Sequence, residues 1–140
     1  MEKETELSKD KKTSFHPFLE KAISILSQKQ AGEILIYDMR QLSQLFDYAV
    51  IASGYSSTQL DVIRRALERG LRTDGLRAYG VEGKPESGWI LLDFMDFVVH
   101  VFTPEKREYY RLDQLWGDLP CEEMNENDEM PEKEAKIKTR

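Results

Sequence analysis

The sequence predicts a mixed α/β fold, a five-stranded mixed sheet with flanking helices. Three observations predict it. Two apolar runs, Ile90–Leu92 and Val98–Phe102, flank a short acidic connection and must pair as a hairpin or lie at the heart of a sheet. Leu60, Ile63, Leu67 and Leu71 recur at helical spacing. Segments of the two kinds interleave along the chain, which argues for helices packed on a sheet.

Each element has a local reason. A first helix opens near Pro17, which suits a first helical position. Phe18, Ala22, Ile25 and Leu26 make its inner stripe, and Gly32 is expected to stop it. Glu33–Met39 and Asp47–Ser53 read as strands. The run Tyr48–Ala52 is apolar on both faces and is therefore expected to be central in the sheet. Gly54 turns the chain into the main helix, where Ser56 with Gln59 three residues on forms a capping-box pattern. Asp74-Gly75 closes that helix. Arg77–Val81 is a short third strand, and the unit beginning at Trp89 supplies the fourth and fifth. Thr103-Pro104-Glu105 is a helix start: hydroxyl cap, proline, then an acid in the first turn.

Length and composition bound the rest. At 140 residues the chain is one domain. Residues 1–14 and 121–140 are charged and poor in apolar side chains, so they read as a flexible N-terminal segment and a disordered acidic C-terminal tail around a domain of residues 15–120. No run of about 18 or more apolar residues exists, which excludes a helical membrane span. Met1–Glu6 lacks the regions of a secretory signal, and a lone cysteine, Cys121, fits a reducing compartment, so a cytoplasmic protein is expected. Cys121, His16 and His100 are too few for a structural zinc site. The net charge is −6, and the central domain alone carries more acids than bases. Such a chain gains little by neutralising phosphates. Acidity also serves solubility; in nucleic-acid machinery it would suit contact with a basic protein.

Several constellations have residue types that could carry chemistry. Gly54 with serines at a helix start suits a phosphate, but the ending of a P-loop and the glycine spacing of a dinucleotide fingerprint are missing. A capped strand-to-helix turn accounts for it. Asp93 and Asp96 would serve a metal if they stood at alternate strand positions; three apart with a turn between, they point apart, and Asp side chains also bond local backbone in turns. His100 shares a strand face with Val98 and Phe102 and has no serine or cysteine to activate, so it is a packing residue or a surface contact. Arg64, Arg65, Arg69 and Arg72 are offset by Asp61, Glu68 and Asp74 and read as a solvated face. Trp89, Tyr109, Tyr110 and Trp116 are either core or interface anchors; Trp89 follows a turn-rich loop at a strand's end, where exposure is expected.

Taken in order, Asp47–Ser57, Val81-Glu82-Gly83, Trp89–Asp93, Asp96, Val98–Phe102 and Tyr110–Asp118 resemble the ribosome silencing factor family, also called RsfS or Iojap. The resemblance spans about residues 18–120. It implies a fold like the nucleotidyltransferase core without its catalytic carboxylates. It implies a non-enzymatic factor with no cofactor, one that binds large-subunit ribosomal protein number fourteen and sterically blocks subunit joining when nutrients are scarce. Carried over by position, the partner face holds Trp89, Asp93, Asp96, Val98, His100, Phe102, Tyr110 and Leu112. Gly54, Ser56 and Ser57 match the family's turn and imply a structural role. Two positions depart from the pattern: Met95 stands where glycine is usual between the acids, and Tyr55 replaces a smaller polar residue. If the turn needs a positive φ, Met95 is strained there. Two other readings stay open beside this one: a metal-dependent nucleotidyltransferase using Asp93 and Asp96, and a homodimer formed through the Trp89 face.

Overall fold

A computed structural model describes residues 16–124, so the readings of residues 1–14 and of the tail beyond Met124 lie outside the described residues. Helix α1 is Pro17–Gln28. Strands β1, Gly32–Asp38, and β2, Tyr48–Ser53, follow. Helix α2 is Ser57–Thr73. Strand β3 is Gly80–Glu82, and a single 3-10 turn at Pro85–Ser87 leads to β4, Trp89–Asp93, and β5, Phe97–Phe102. Two short helices, α3 (Pro104–Tyr110) and α4 (Leu112–Leu115), precede a last strand, β6, Cys121–Met124.

The sheet order is β3-β4-β5-β2-β1-β6. It has six strands, not five, because Cys121–Met124 pairs antiparallel with β1, Met124 opposite Ile34 and Cys121 opposite Tyr37. This corrects the expectation that the acidic tail begins at Cys121: residues 121–124 belong to the sheet. In the strand, Glu122 and Met124 are half-buried while Cys121 and Glu123 are exposed, and an edge strand tolerates such polarity. The sheet is mixed: β2 and β5 run parallel, Val50 beside Val99, and the other pairs are antiparallel. The expectation of a central β2 holds, since β2 lies between β5 and β1 with Ala49 through Ser53 all buried.

The two sheet faces bury different sets. Alternation sends Val50, Ala52, Ile90, Leu92, Val99 and Val101 toward α1 and α2, where they meet Leu19, Leu26, Leu60, Ile63, Leu67 and Leu71 in the larger core. The α2 stripe is the one its spacing predicts. Ser56 accepts from the Gln59 backbone N–H at 3.0 Å, and Gln59 Oε1 accepts in return from the Tyr55 N–H at 2.7 Å. The Gln59 amide also donates to the Lys29 and Gln30 carbonyls, so the cap of α2 ties down the end of α1. That end comes earlier than Gly32: the chain leaves the helix through Lys29, and Gln30 takes φ 65°. Gly54 is held by packing, because a Cβ there would stand 2.4 Å from Leu60 Cδ1.

The second face carries a smaller cluster, Tyr37, Met39, Ala49, Ile51, Val98 and Phe102, with Leu112, Trp116 and Leu119 laid across it. Arg107 on α3 anchors that covering segment. It is 7% exposed and donates to Ser53 Oγ at 2.7 Å, with Glu33 at 3.6 Å and Asp113 at 4.0 Å. Tyr37 Oη donates to the Asp113 carbonyl at 3.4 Å, and burial holds the phenol's pKa well above its usual value.

Candidate partner-binding face

Period-two alternation sends Trp89, Leu91 and Asp93 of β4 and Val98, His100 and Phe102 of β5 to the same side of the sheet, away from the long helices. The antiparallel register sets Trp89 opposite Phe102, Leu91 opposite His100 and Asp93 opposite Val98. Gly88, at φ 84°, makes the entry to β4. A Cβ on Gly88 would come within 3.0 Å of the Thr103 hydroxyl, which keeps the Trp89 end of the hairpin tight against the start of α3.

Trp89 is the hub. Its ring lies 4.4 Å from Tyr110, 5.0 Å from Phe102 and 5.9 Å from His100, centroid to centroid. The indole N–H donates to His100 Nδ1 at 3.2 Å. His100 therefore presents Nδ1 as an acceptor and carries its proton on Nε2. Burial disfavours the charged form and pushes the imidazole pKa down to about 4, so it is neutral near pH 7. A neutral acceptor orients the indole; an imidazolium would repel its N–H. Trp116 closes the other side, edge-on to His100 at 6.0 Å and to Tyr37 at 5.6 Å.

These contacts sort the eight expected residues. Phe102 is 1% exposed and Val98 6%, so both lie beneath the rings and support them. Trp89, His100 and Leu112 are half-buried, and Tyr110 is exposed. Trp89 is thus a stacked, half-covered ring, less exposed than a strand end implies because α3 folds back over it. Asp93 is half-buried at the end of β4 and spends Oδ1 on the Met95 N–H at 2.8 Å. Asp96 is exposed in the turn, and its carbonyl accepts from the Asp47 and Tyr48 N–H groups, which pins the turn to the start of β2. Met95 has φ 76°, the left-handed conformation that the glycine argument anticipated. Among the described residues, no group of three or more His, Cys, Asp or Glu side chains is placed to hold a metal ion.

Three features of this face escaped the sequence reading. Leu91 sits between Trp89 and Asp93 on the same strand face, half-buried at the edge of the groove. A groove of about 360 Å³ runs beside Trp89, lined by Glu82, Ser87, Leu91, Lys106 and Tyr110. At the turn end, Leu45 and Leu42 are 84% and 61% exposed and Met95 56%. Strand alternation could have found Leu91; the groove depends on how α3 returns to the sheet, which no local pattern encodes.

Comparison with known proteins adds an independent line. The family model described as "Ribosomal silencing factor during starvation" matches residues 12–140. The chain is 36% identical over 104 residues to ribosomal silencing factor RsfS of Bacillus subtilis, an alignment covering 74% of this chain and 88% of that one. It is 32% identical over 97 residues to the mouse protein named mitochondrial assembly of ribosomal large subunit protein 1, covering 67% of this chain and 42% of that one. A crystal structure of a Chromobacterium violaceum protein superposes with a TM-score of 0.69 at 32% identity, covering 72% of this chain and 84% of that one.

Proposed function

Because the chain belongs to the ribosomal silencing factor family, we propose that it represses translation by binding the large ribosomal subunit through the Trp89 face. The family is regulatory rather than enzymatic. The observation that carries the choice of face is the aromatic platform itself: Trp89 and Tyr110, held by Phe102 and His100, beside an open groove. Rigid, partly exposed rings are the side chains that dominate protein interfaces. In this proposal the contact is large-subunit ribosomal protein number fourteen, and the mechanism is steric exclusion of the small subunit, in the cytoplasm. Exposed Asp96 then pairs with a basic side chain of that partner, for a modest gain, while Trp89, Leu91 and Tyr110 supply the apolar area. On this view the sheet is a nucleotidyltransferase-like frame used for binding alone. The mouse relative's name, which speaks of large-subunit assembly, supports the choice of subunit.

Co-sedimentation with isolated large subunits, isolated small subunits and joined ribosomes tests the proposal. Asp96→Lys alters an exposed side chain, whereas Tyr110→Ala also removes a ring packed on Trp89, so a melting curve of each variant accompanies its binding assay. Binding to large subunits only, weakened about tenfold or more by Tyr110→Ala and accompanied by loss of subunit joining, is the expected result. Equal binding by both variants would move the contact to another face. Absence of binding to any particle would sink the proposal.

A further inference from the structure

On the opposite side of the molecule, α1 and α2 pack antiparallel: Lys21 at the start of α1 bridges Asp74 past the end of α2 at 2.9 Å, and Gln59 at the start of α2 holds the end of α1. Gly70 permits the close approach, since a Cβ there would stand 2.7 Å from Ile25 Cδ1. Between the helices runs a groove of about 490 Å³. Its floor is apolar, Ile25 and Ala66 with Val62 43% exposed at one rim, and its four charged lining residues are all cations: Lys21, Lys29, Arg65 and Arg69. Lys21 and Arg65 are paired within the helices, with Asp74 and Asp61. Lys29 and Arg69 make no ion pair among the described residues. In a chain of net charge −6, an all-cationic groove over apolar side chains is out of keeping with the rest of the surface.

The chain itself supplies matching chemistry. Strand β6 runs antiparallel to β1 and ends with Met124 opposite Ile34, two residues past Gly32, where β1 begins just after α1. Met124 packs against the helix-side core, and its pairing with Ile34 places the end of β6 near the junction of α1 with β1, at the Lys29 end of the groove. The sequence that follows holds Glu126, Asp128, Glu129, Glu132 and Glu134, with Met130 among them. The groove, from Val62 to Thr73 on α2, is about 17 Å long at the helical rise. Residues 125–134 reach about 33 Å when extended, which suffices to enter the groove and follow it. Tethering makes the encounter intramolecular, so weak ion pairs and one methionine on the apolar floor suffice where the same peptide in free solution would bind poorly.

We propose that the groove between α1 and α2 is the docking site of the chain's own acidic segment, residues 126–134, with Lys29 and Arg69 as its ion-pair partners. The test is an amide NMR comparison of the full chain with a chain ending at Met124, which keeps β6 intact. Expected are shift differences at Lys29, Val62, Arg69 and Thr73, independent of protein concentration. They should collapse at about 0.5 M salt, where the screening length falls to about 4 Å. The exposed double variant Lys29→Glu, Arg69→Glu should show the truncated pattern even at full length. Differences confined to the residues around Met124 would overturn the proposal. Differences that grow with concentration would overturn it too, in favour of the groove of a second copy. Differences that survive high salt and the double variant would remove Lys29 and Arg69 as the partners and overturn it as stated.

Discussion

The neutral His100 makes stability depend on pH in a way that can be isolated. Its pKa falls from the usual 6.5 to about 4 through burial. The unfolded chain therefore binds a proton at this site more readily than the folded one, so the contribution is complete above about pH 6.5 and is lost as pH falls toward 4. Each unit of difference corresponds to about 1.4 kcal/mol, which gives a total near 3 kcal/mol, with about 1 kcal/mol gone by pH 6 and about 2 by pH 5. His100 is half-buried, and solvent at its open edge trims the loss at pH 5 to about 1–2 kcal/mol. The assay is urea unfolding from pH 8 to pH 4.5, wild type against His100→Gln. Glutamine keeps an acceptor for the Trp89 N–H but does not titrate, so subtracting the two curves removes the carboxylates. A difference that grows as pH drops from 7 to 5 is expected, with wild type losing more. Parallel curves would refute the argument, because they would mean that His100 is protonated as easily in the folded chain as in the unfolded one.

Three further outcomes follow from the packing. Met95→Gly removes a side chain from a φ of 76° and should raise stability by roughly 1 kcal/mol, read as a melting temperature several degrees higher. Arg107→Ala strips the buried Ser53 hydroxyl of its donor and leaves Glu33 and Asp113 unpaired, for a loss of about 2–4 kcal/mol in chemical denaturation. Ending the chain at Pro120 removes β6 and uncovers the edge of β1, so it should cost about 1–2 kcal/mol more than ending it at Met124; equal melting temperatures for the two truncations would show that β6 contributes nothing.

The elements with strong local periodicity were legible in the sequence. The α2 stripe of Leu60, Ile63, Leu67 and Leu71, its serine cap and the β4–β5 hairpin each declare themselves within a short stretch of sequence. Strand β6 did not, because Cys121-Glu-Glu-Met124 has neither apolar alternation nor β-branched residues, and it is ordered by the open edge of β1 some 85 positions earlier. The candidate face was legible by strand and by family pattern, down to the left-handed position at Met95. What the sequence could not supply was depth. Whether Phe102 lies under Trp89 or beside it is decided by α3 and the segment after it folding back, and that contact leaves no local trace. Arg107 illustrates the same limit, since a charged residue in a short polar helix gives no sign of being buried.

The parallel pairing of β2 with β5 has a consequence for how the chain reaches this structure. Tyr48 meets Phe97 and Ser53 meets Phe102, so the two most buried strands find each other only after a loop of more than 40 residues closes. The hairpin of β4 and β5 and the helix between β2 and β3 require only nearby sequence and can form first. Loop-closure entropy makes the β2–β5 step the slow one. On a growing chain, β2 would wait with one edge unpaired until Phe97–Phe102 is available, and β1 would wait longer for Cys121–Met124. The central strand, buried from Ala49 through Ser53 in the finished fold, is therefore the segment most exposed to mispairing during synthesis.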